Sequence, residues 1–322
     1  MRKIFLLLFS LFNLISVFSQ FKQGTLIDDA KYYKRTKNYS KSFALFKEAL
    51  KKPSKVSDDY YYAVKVALLN RDEDMAFIWL NDYTKIDSYR SIDEIKEDSS
   101  LLKLHNNPKW VEFLNELSKQ NNLREQKYNQ TLKKELDQIY FDDQDIRIKY
   151  VKEMENPNTD TSKLDSMMKI MIKLDSINLK KVTKILDEYG WLTNSEVGEK
   201  ANTSLFGVLQ HADMKTQQKF RPLLEKAFNE GHLPRNYYAQ FEDRLKYRET
   251  KEQIYGTQYG TKPNSKEIFI LPLIDPDNID KRRLLIGLGH FSSYLQMFDM
   301  IWNVEDYKNN LQLYKQWSLT IQ

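Results

Sequence analysis

From Asp28 to Tyr83 the sequence repeats at an interval of 34 residues: Ala30, Tyr33, Ser42, Phe46 and Ala49 align with Val64, Ala67, Ala76, Leu80 and Tyr83. An interval of this length holds two helices and two short turns. Small side chains in each unit let the paired helices approach, and the larger apolar residues Phe46 and Leu80 fill the groove between them. A helix pair of this kind cannot bury its apolar face alone, so the repeat implies stacking and a mainly α fold.

Within the first unit, Tyr33, Asn38, Tyr39, Phe43, Phe46, Ala49 and Leu50 resemble the tetratricopeptide family. The second unit, from Asp59 through Ala76 and Trp79, follows the pattern more loosely. The segment Ile92, Ile95, Leu101, Leu104, Pro108, Trp110 and Phe113 resembles the irregular cap that closes such arrays. His105 within it reads as a packing or capping residue, because no second metal-binding side chain stands at ligand spacing beside it.

The chain opens with Arg2 and Lys3, an apolar run from Ile4 to Phe12 broken by Ser10, and then Val17, Ser19 and Gln20. That layout predicts a signal peptide over residues 1–19 with cleavage before Gln20, and hence a soluble periplasmic or secreted product with no integral membrane segment. There is no cysteine, which excludes a cysteine-linked lipid anchor, a disulfide and a thiol nucleophile. The formal charge of +5 falls to +3 once Arg2 and Lys3 are removed, and both signs alternate along the chain. Nucleic-acid binders concentrate their basic residues on one stripe, so no nucleic-acid partner is expected.

Apolar periodicity weakens at Asn121 and Asn122, where a boundary is expected: helical repeats with a terminal cap over 20–120, and a second helical domain over 124–322. Capping logic places helices from near Asp143 to Pro157, from Asp175 to Tyr189 and Gly190, and from Ser195 to Gln210. Others follow from Asp213 to Asn229 and Gly231, and from Arg235 to Arg248. Pro263, Asn264 and Ser265 before Ile268, Phe269, Ile270 and Leu271 predict a small β-hairpin or extended flap. Helices return from Asp280. The second domain carries Asp142, Gln144, Arg147; Asp175, Asn178; Tyr189, Gly190, Trp191; Gln210, His211, Ala212, Asp213, Gln217; Glu242, Asp243, Arg244; Tyr255, Gly256, Thr257, Gln258; and Arg282, Arg283, Gly287, Tyr294. Over about residues 125–294 this pattern resembles the uncharacterised bacterial domain-of-unknown-function family sixty-six twenty-four. Leu192 stands where that pattern leads us to expect proline. The resemblance implies no activity.

Several side chains carry candidate chemistry, each beside a structural alternative. His211 is a general base oriented by Asp213, or else a helix C-cap followed by a helix N-cap. Asp243 is a third catalytic candidate, flanked by Glu242 and Arg244, which read either as ligand contacts or as a structural ion pair. Gln210, Tyr255 and Gln258 read as binding residues, the last two on a loop where Gly256 alternatively marks a tight turn of positive φ. Arg282 and Arg283 read as an anion clamp or as partners of the acidic residues before them. No metal or other cofactor is expected, and the fingerprints of nucleotide enzymes and common hydrolases are absent.

Two functions follow. The first is an exported binding protein whose helical repeats hold a protein or peptide, with a polar pocket for an unknown small ligand in the second domain. The second is a cell-envelope hydrolase using His211 with nearby carboxylates.

Overall fold

The computed structural model describes residues 21–319 apart from Tyr89, Pro157, Asn264 and Lys266. The expected signal peptide, the helix stop at Pro157 and the turn residue Asn264 lie outside the described residues. The described chain is mainly helical with one small antiparallel hairpin. It divides into two compact units. One joins the described residues of Met1–Tyr83 to those of Leu233–Gln322, and the other is Thr84–His232. This division differs from the segments drawn from sequence texture, and the helix Pro108–Glu125 runs unbroken through Asn121 and Asn122.

The first unit begins with two helical hairpins: α1 (21–35) with α2 (Tyr39–Ala49), and α3 (Ser57–Leu69) with α4 (Glu73–Tyr83). Their turns are built alike at the 34-residue offset. Lys37 and Arg71 both take the left-handed conformation, with φ of 61° and 63°. The backbone bonds Asn38 N to Tyr33 O and Asp72 N to Ala67 O measure 2.8 and 2.9 Å. Asn38 and Asp72 then cap the following helices by accepting from the amides of Lys41 and Met75. The small residues Ala30, Ala63, Ala67 and Ala76 are fully buried, which is what close helix approach requires.

After α12 (Arg235–Thr250), strands β1 (Tyr259–Thr261) and β2 (Ile268–Ile270) pair antiparallel, with Gly260 opposite Phe269. Helices α13 (Ile279–Leu285), α14 (Phe291–Leu295) and α15 (Val304–Ser318) complete this unit. Ile270, Leu273, Ile279, Phe291, Leu295 and Tyr307 form a core beneath the hairpin. The Tyr307 hydroxyl accepts from Leu273 N at 2.7 Å and donates to Leu271 O at 3.2 Å, so its burial leaves the phenol satisfied. Residues distant in sequence close the unit. Asp28 on α1 accepts from Arg235 at 2.9 Å and from the Gly289 amide at 2.8 Å.

The second unit contains α5 (Ile92–Glu97), a 3-10 turn over Ser99–Leu104, and α6 (Pro108–Glu125). Long helices α7 (Gln130–Glu155) and α8 (Thr161–Tyr189) follow, then α9 (Asn194–Val197), α10 (Glu199–His211) and α11 (Met214–Asn229). Ile95, Leu101, Leu104, Trp110 and Phe113 are buried, and His105 stacks on Trp110 at 4.5 Å between ring centroids. Three expected helix starts need correction. The helix expected from Asp143 already begins at Gln130, capped by Asn129, and α8 is capped by Asp160 and runs through Asp175. Polar residues interrupt the apolar face at Asp143 and Asp175, which made each look like a cap. The start placed at Ser195 splits in two: Thr193 caps α9, and Gly198 at φ 86° separates it from α10.

Candidate functional site

The sequence-derived candidates fall into two groups, one in each compact unit. In the second unit, Gln210, His211 and Asp213 stand at the joint between α10 and α11. His211 ends α10 and is exposed; Asp213 is exposed and caps α11, accepting from Thr216 N at 3.0 Å and Thr216 Oγ1 at 2.7 Å. Those two bonds hold the Asp213 carboxyl below its ordinary range. From α11 the fully buried Gln217 donates back to the carbonyls of Leu209 and Gln210 at 3.0 and 3.1 Å. The string from Gln210 to Gln217 therefore caps one helix at its end and the next at its beginning.

In the first unit, Asp243, Arg282 and Arg283 hold one loop, residues 253–258, which carries Tyr255 and Gln258. Asp243 on α12 is fully buried. Its Oδ1 accepts from the amides of Ile254 and Tyr255, both at 2.7 Å, and its Oδ2 accepts from the Thr257 amide and hydroxyl, both at 2.8 Å. Burial pushes this carboxyl above its usual range, and the donors from Tyr255, Thr257 and Ile254 oppose that shift.

The carbonyl side of the same loop is held by cations. Arg283 donates to Tyr255 O and to Gly289 O, each at 2.8 Å, and Arg282 donates to Ile254 O at 2.9 Å and Asp275 O at 2.8 Å. The peptide groups around Ile254 and Tyr255 thus lie between a buried carboxylate and two guanidinium groups. Arg283 is 2% exposed, and its guanidinium carbon stands 4.8 Å from the Tyr294 ring centroid and 5.5 Å from that of Phe291. Burial lowers its pKa, against the pull of Asp28, Tyr294 and Asp243. Gln253, also fully buried, closes the loop by donating to Gln258 O and accepting from Gln258 N, both at 2.8 Å. The Gln258 side chain donates to Gln240 O at 3.4 Å. Gly256 has φ of 78°, and a Cβ there would lie 2.4 Å from the Phe291 ring. Glycine is required on both counts. Glu242 is buried next to Asp243 on α12, and Arg244 is half-buried.

Sequence reasoning did not assign a site to a third polar group, between α7 and α8. Arg147 donates to Asp143 at 3.0 Å, to Asp175 at 2.6 Å and to Met171 Sδ at 2.9 Å. Burial acts to lower the Arg147 pKa, but the two carboxylates outweigh it and hold the guanidinium above its ordinary value. One turn beyond Asp175, Asn178 is completely buried, and neither atom of its carboxamide has a hydrogen-bond partner among the described residues. The signal was present in sequence: Leu164, Met168, Met171, Asp175, Asn178, Val182 and Ile185 follow alternating steps of four and three, a heptad seam with two polar members.

Among the described residues no group of three or more histidine or acidic side chains could hold a metal ion. A surface hollow of about 520 Å³ is lined by Thr36, Lys37, Tyr39, Leu69 and Arg71, and another of about 480 Å³ by Gln130, Lys133 and Asp137. Neither contains the candidate residues.

The fold and these polar joints define a mainly helical protein with repeated helical hairpins, in which buried charges hold loops and helix ends. A family of unknown function, DUF6624, matches residues 130–305, and the chain belongs to it. No curated protein and no solved structure matches the chain.

Proposed function

We propose that the protein is an exported interaction module whose tetratricopeptide-like hairpins bind an acidic peptide segment of a partner protein. The supporting observation is a basic and aromatic face on α1 and α3, the first helices of the two hairpins. Lys31 and Lys34 stand 5.0 and 5.3 Å from the Tyr62 ring centroid, and Lys65 stands 4.6 Å from that of Tyr61. Lys31 and Lys65 occupy the same position in successive units, Lys31 also donating to the buried Asp59 at 3.3 Å, so the basic positions repeat with the fold. Lysines laid along aromatic faces recognise carboxylates while the rings supply apolar contact. A polar ligand at the loop of residues 253–258 belongs to the same reading, with Gln258 and Tyr255 as its contacts.

Deleting the repeats would remove part of the first unit's core, so surface substitutions make the better test. The chain from Gln20 onward should capture an acid-rich partner from an envelope or culture fraction, and added salt should weaken the capture. The Lys34→Glu, Lys65→Glu variant should lose that partner while keeping its helical circular dichroism. If both forms retain the same partner at the same salt, the reading is wrong. Amino-terminal sequencing of the processed protein checks export, and an intact Met1 would contradict it.

The rival reading, a cell-envelope hydrolase built on His211, Asp213 and Asp243, gains no supporting observation. To act as a base or nucleophile, Asp243 would have to release donors that fix the loop around it.

A further inference from the structure

Helix α7 has 26 residues and α10, which packs on it, has 13. Helix α8 also packs on α7, where Arg147 reaches Asp175, but deep burial is confined to the first half of α7. The buried side chains of α7 are Leu132, Leu136, Ile139 and Asp143, all in its first half, and no described residue from 144 to 170 is buried. Along its exposed side α7 shows a second, open seam. Phe141, Gln144, Ile148 and Val151 follow in steps of three, four and three, the spacing of two apolar turns in a heptad. Phe141 is 58% exposed, Ile148 52% and Val151 53%. A seam at this spacing, left open to water, fits another helix better than a lipid surface, which favours a broad apolar face rimmed by basic residues.

The charges beside the seam point to the occupant. Asp145 and Lys152 occupy equivalent flanking positions one heptad apart; Asp145 accepts from Lys149 at 2.7 Å within the helix, and Arg147 is committed to Asp143 and Asp175. If two copies of α7 met in parallel, Asp145 and Lys152 would lie a heptad apart and could not pair across the seam. If they met antiparallel, Asp145 would face Lys152 in both directions while Phe141 met Val151 and Gln144 met Ile148. The exposed stripe of α8, containing Ile170 and Ile177, lacks this complementarity, because Lys173 would meet its own counterpart.

We propose that the exposed seam of α7 is a self-association surface, on which a second copy of this chain docks antiparallel about a two-fold axis near Gln144 and Ile148. The interface is isologous. Three side chains a little over half exposed, each with roughly 200 Å² of surface, bring a few hundred Å² per copy, below the ~800 Å² per partner of a standard interface. The dimer should accordingly be weak and depend on concentration.

Sedimentation equilibrium of the chain from Gln20 onward, at low salt and over about 1 to 500 µM, should show the mass rising from one copy toward two. Asp145→Lys and Lys152→Asp, made singly, should each weaken association on the order of ten-fold or more. The double variant carrying both exchanges should recover the wild-type constant, since the same pairs re-form with signs reversed. Ile148→Asp should be monomeric with unchanged helical content. A wild-type chain that stays single throughout, an Ile148→Asp variant that associates as well as wild type, or a double exchange that stays as weak as the single ones overturns the proposal. A single chain that instead docks another helical protein through Ile148 would assign the seam to that partner and likewise overturn it.

Discussion

At the scale of single residues, the described buried polar side chains include some whose acceptors are filled several times over and one, Asn178, whose carboxamide lacks a partner at both atoms. Asp243 belongs to the first kind, accepting four donors from Ile254, Tyr255 and Thr257. Asp243→Asn replaces one acceptor oxygen by an N–H₂ group that faces donors, so it should cost about 3–5 kcal/mol. Urea unfolding would read the loss, and a variant as stable as wild type would show that the loop does not depend on this carboxylate. Asn178 belongs to the second kind, buried within a helix seam with no partner for either amide atom. Asn178→Leu should therefore raise stability by about 1–3 kcal/mol, the usual cost of leaving such a group unsatisfied. An unchanged or lower urea midpoint would mean that the carboxamide is satisfied in solution. A polar residue kept in such a seam at a cost to stability can serve to fix helix register.

At the scale of elements, what was legible in the sequence followed the range of the interaction. The hairpin, the ends of α11 and α12 and the Asp213 cap were readable because turn chemistry and capping act over three or four residues. The 34-residue offset was readable because each hairpin repeats its neighbour's packing. Helix starts at Asp143 and Asp175 were misread because a polar residue in an apolar seam mimics a cap. Asp28 was passed over for a different reason: its partners Arg235 and Gly289 are 207 and 261 residues away, and no local pattern marks it. That contact joins α1 to the segment between α13 and α14. Burial acts to raise the Asp28 pKa, but Arg235, Lys31 and the Gly289 amide together hold it below the ordinary 3.8. A carboxyl depressed in the folded state contributes stability that is full above its unfolded pKa and is lost as pH falls through the folded one. Wild type should thus exceed Asp28→Asn by roughly 2 kcal/mol near pH 6. The difference should shrink on acidification below about 3.8. Thermal melts of both proteins from pH 6 to pH 2.5 would show it, and a constant difference would count against the ion pair.

At the scale of the whole molecule, the family match and the compact units cut the chain in different places. The match runs over 130–305, whereas the second unit ends at His232 and the rest of the match belongs to a unit that also contains α1 to α4. The matched region is therefore incomplete as a folding unit on its carboxyl side. Gly24 and Gly289 allow this packing: a Cβ at Gly24 would lie 2.5 Å from Gly287 O, and one at Gly289 would lie 2.6 Å from the Asp28 Cβ. The second unit, by contrast, is continuous in sequence and has its own core, with Leu104, Leu136, Val182, Leu205 and Leu224 buried. A fragment of residues 84–232 should give helical circular dichroism and a cooperative thermal transition. A fragment of residues 233–322 should give neither alone, because removing α1 exposes backbone and apolar surface that have no other cover. Mixing it with a fragment of residues 21–83 should restore near-ultraviolet dichroism from the cluster of Trp302, Tyr307, Tyr314 and Trp317, whose rings lie 5.2–5.8 Å apart in successive pairs. Cooperative unfolding of residues 233–322 alone would show that the helical hairpins are an appendage to the family domain and not part of its fold.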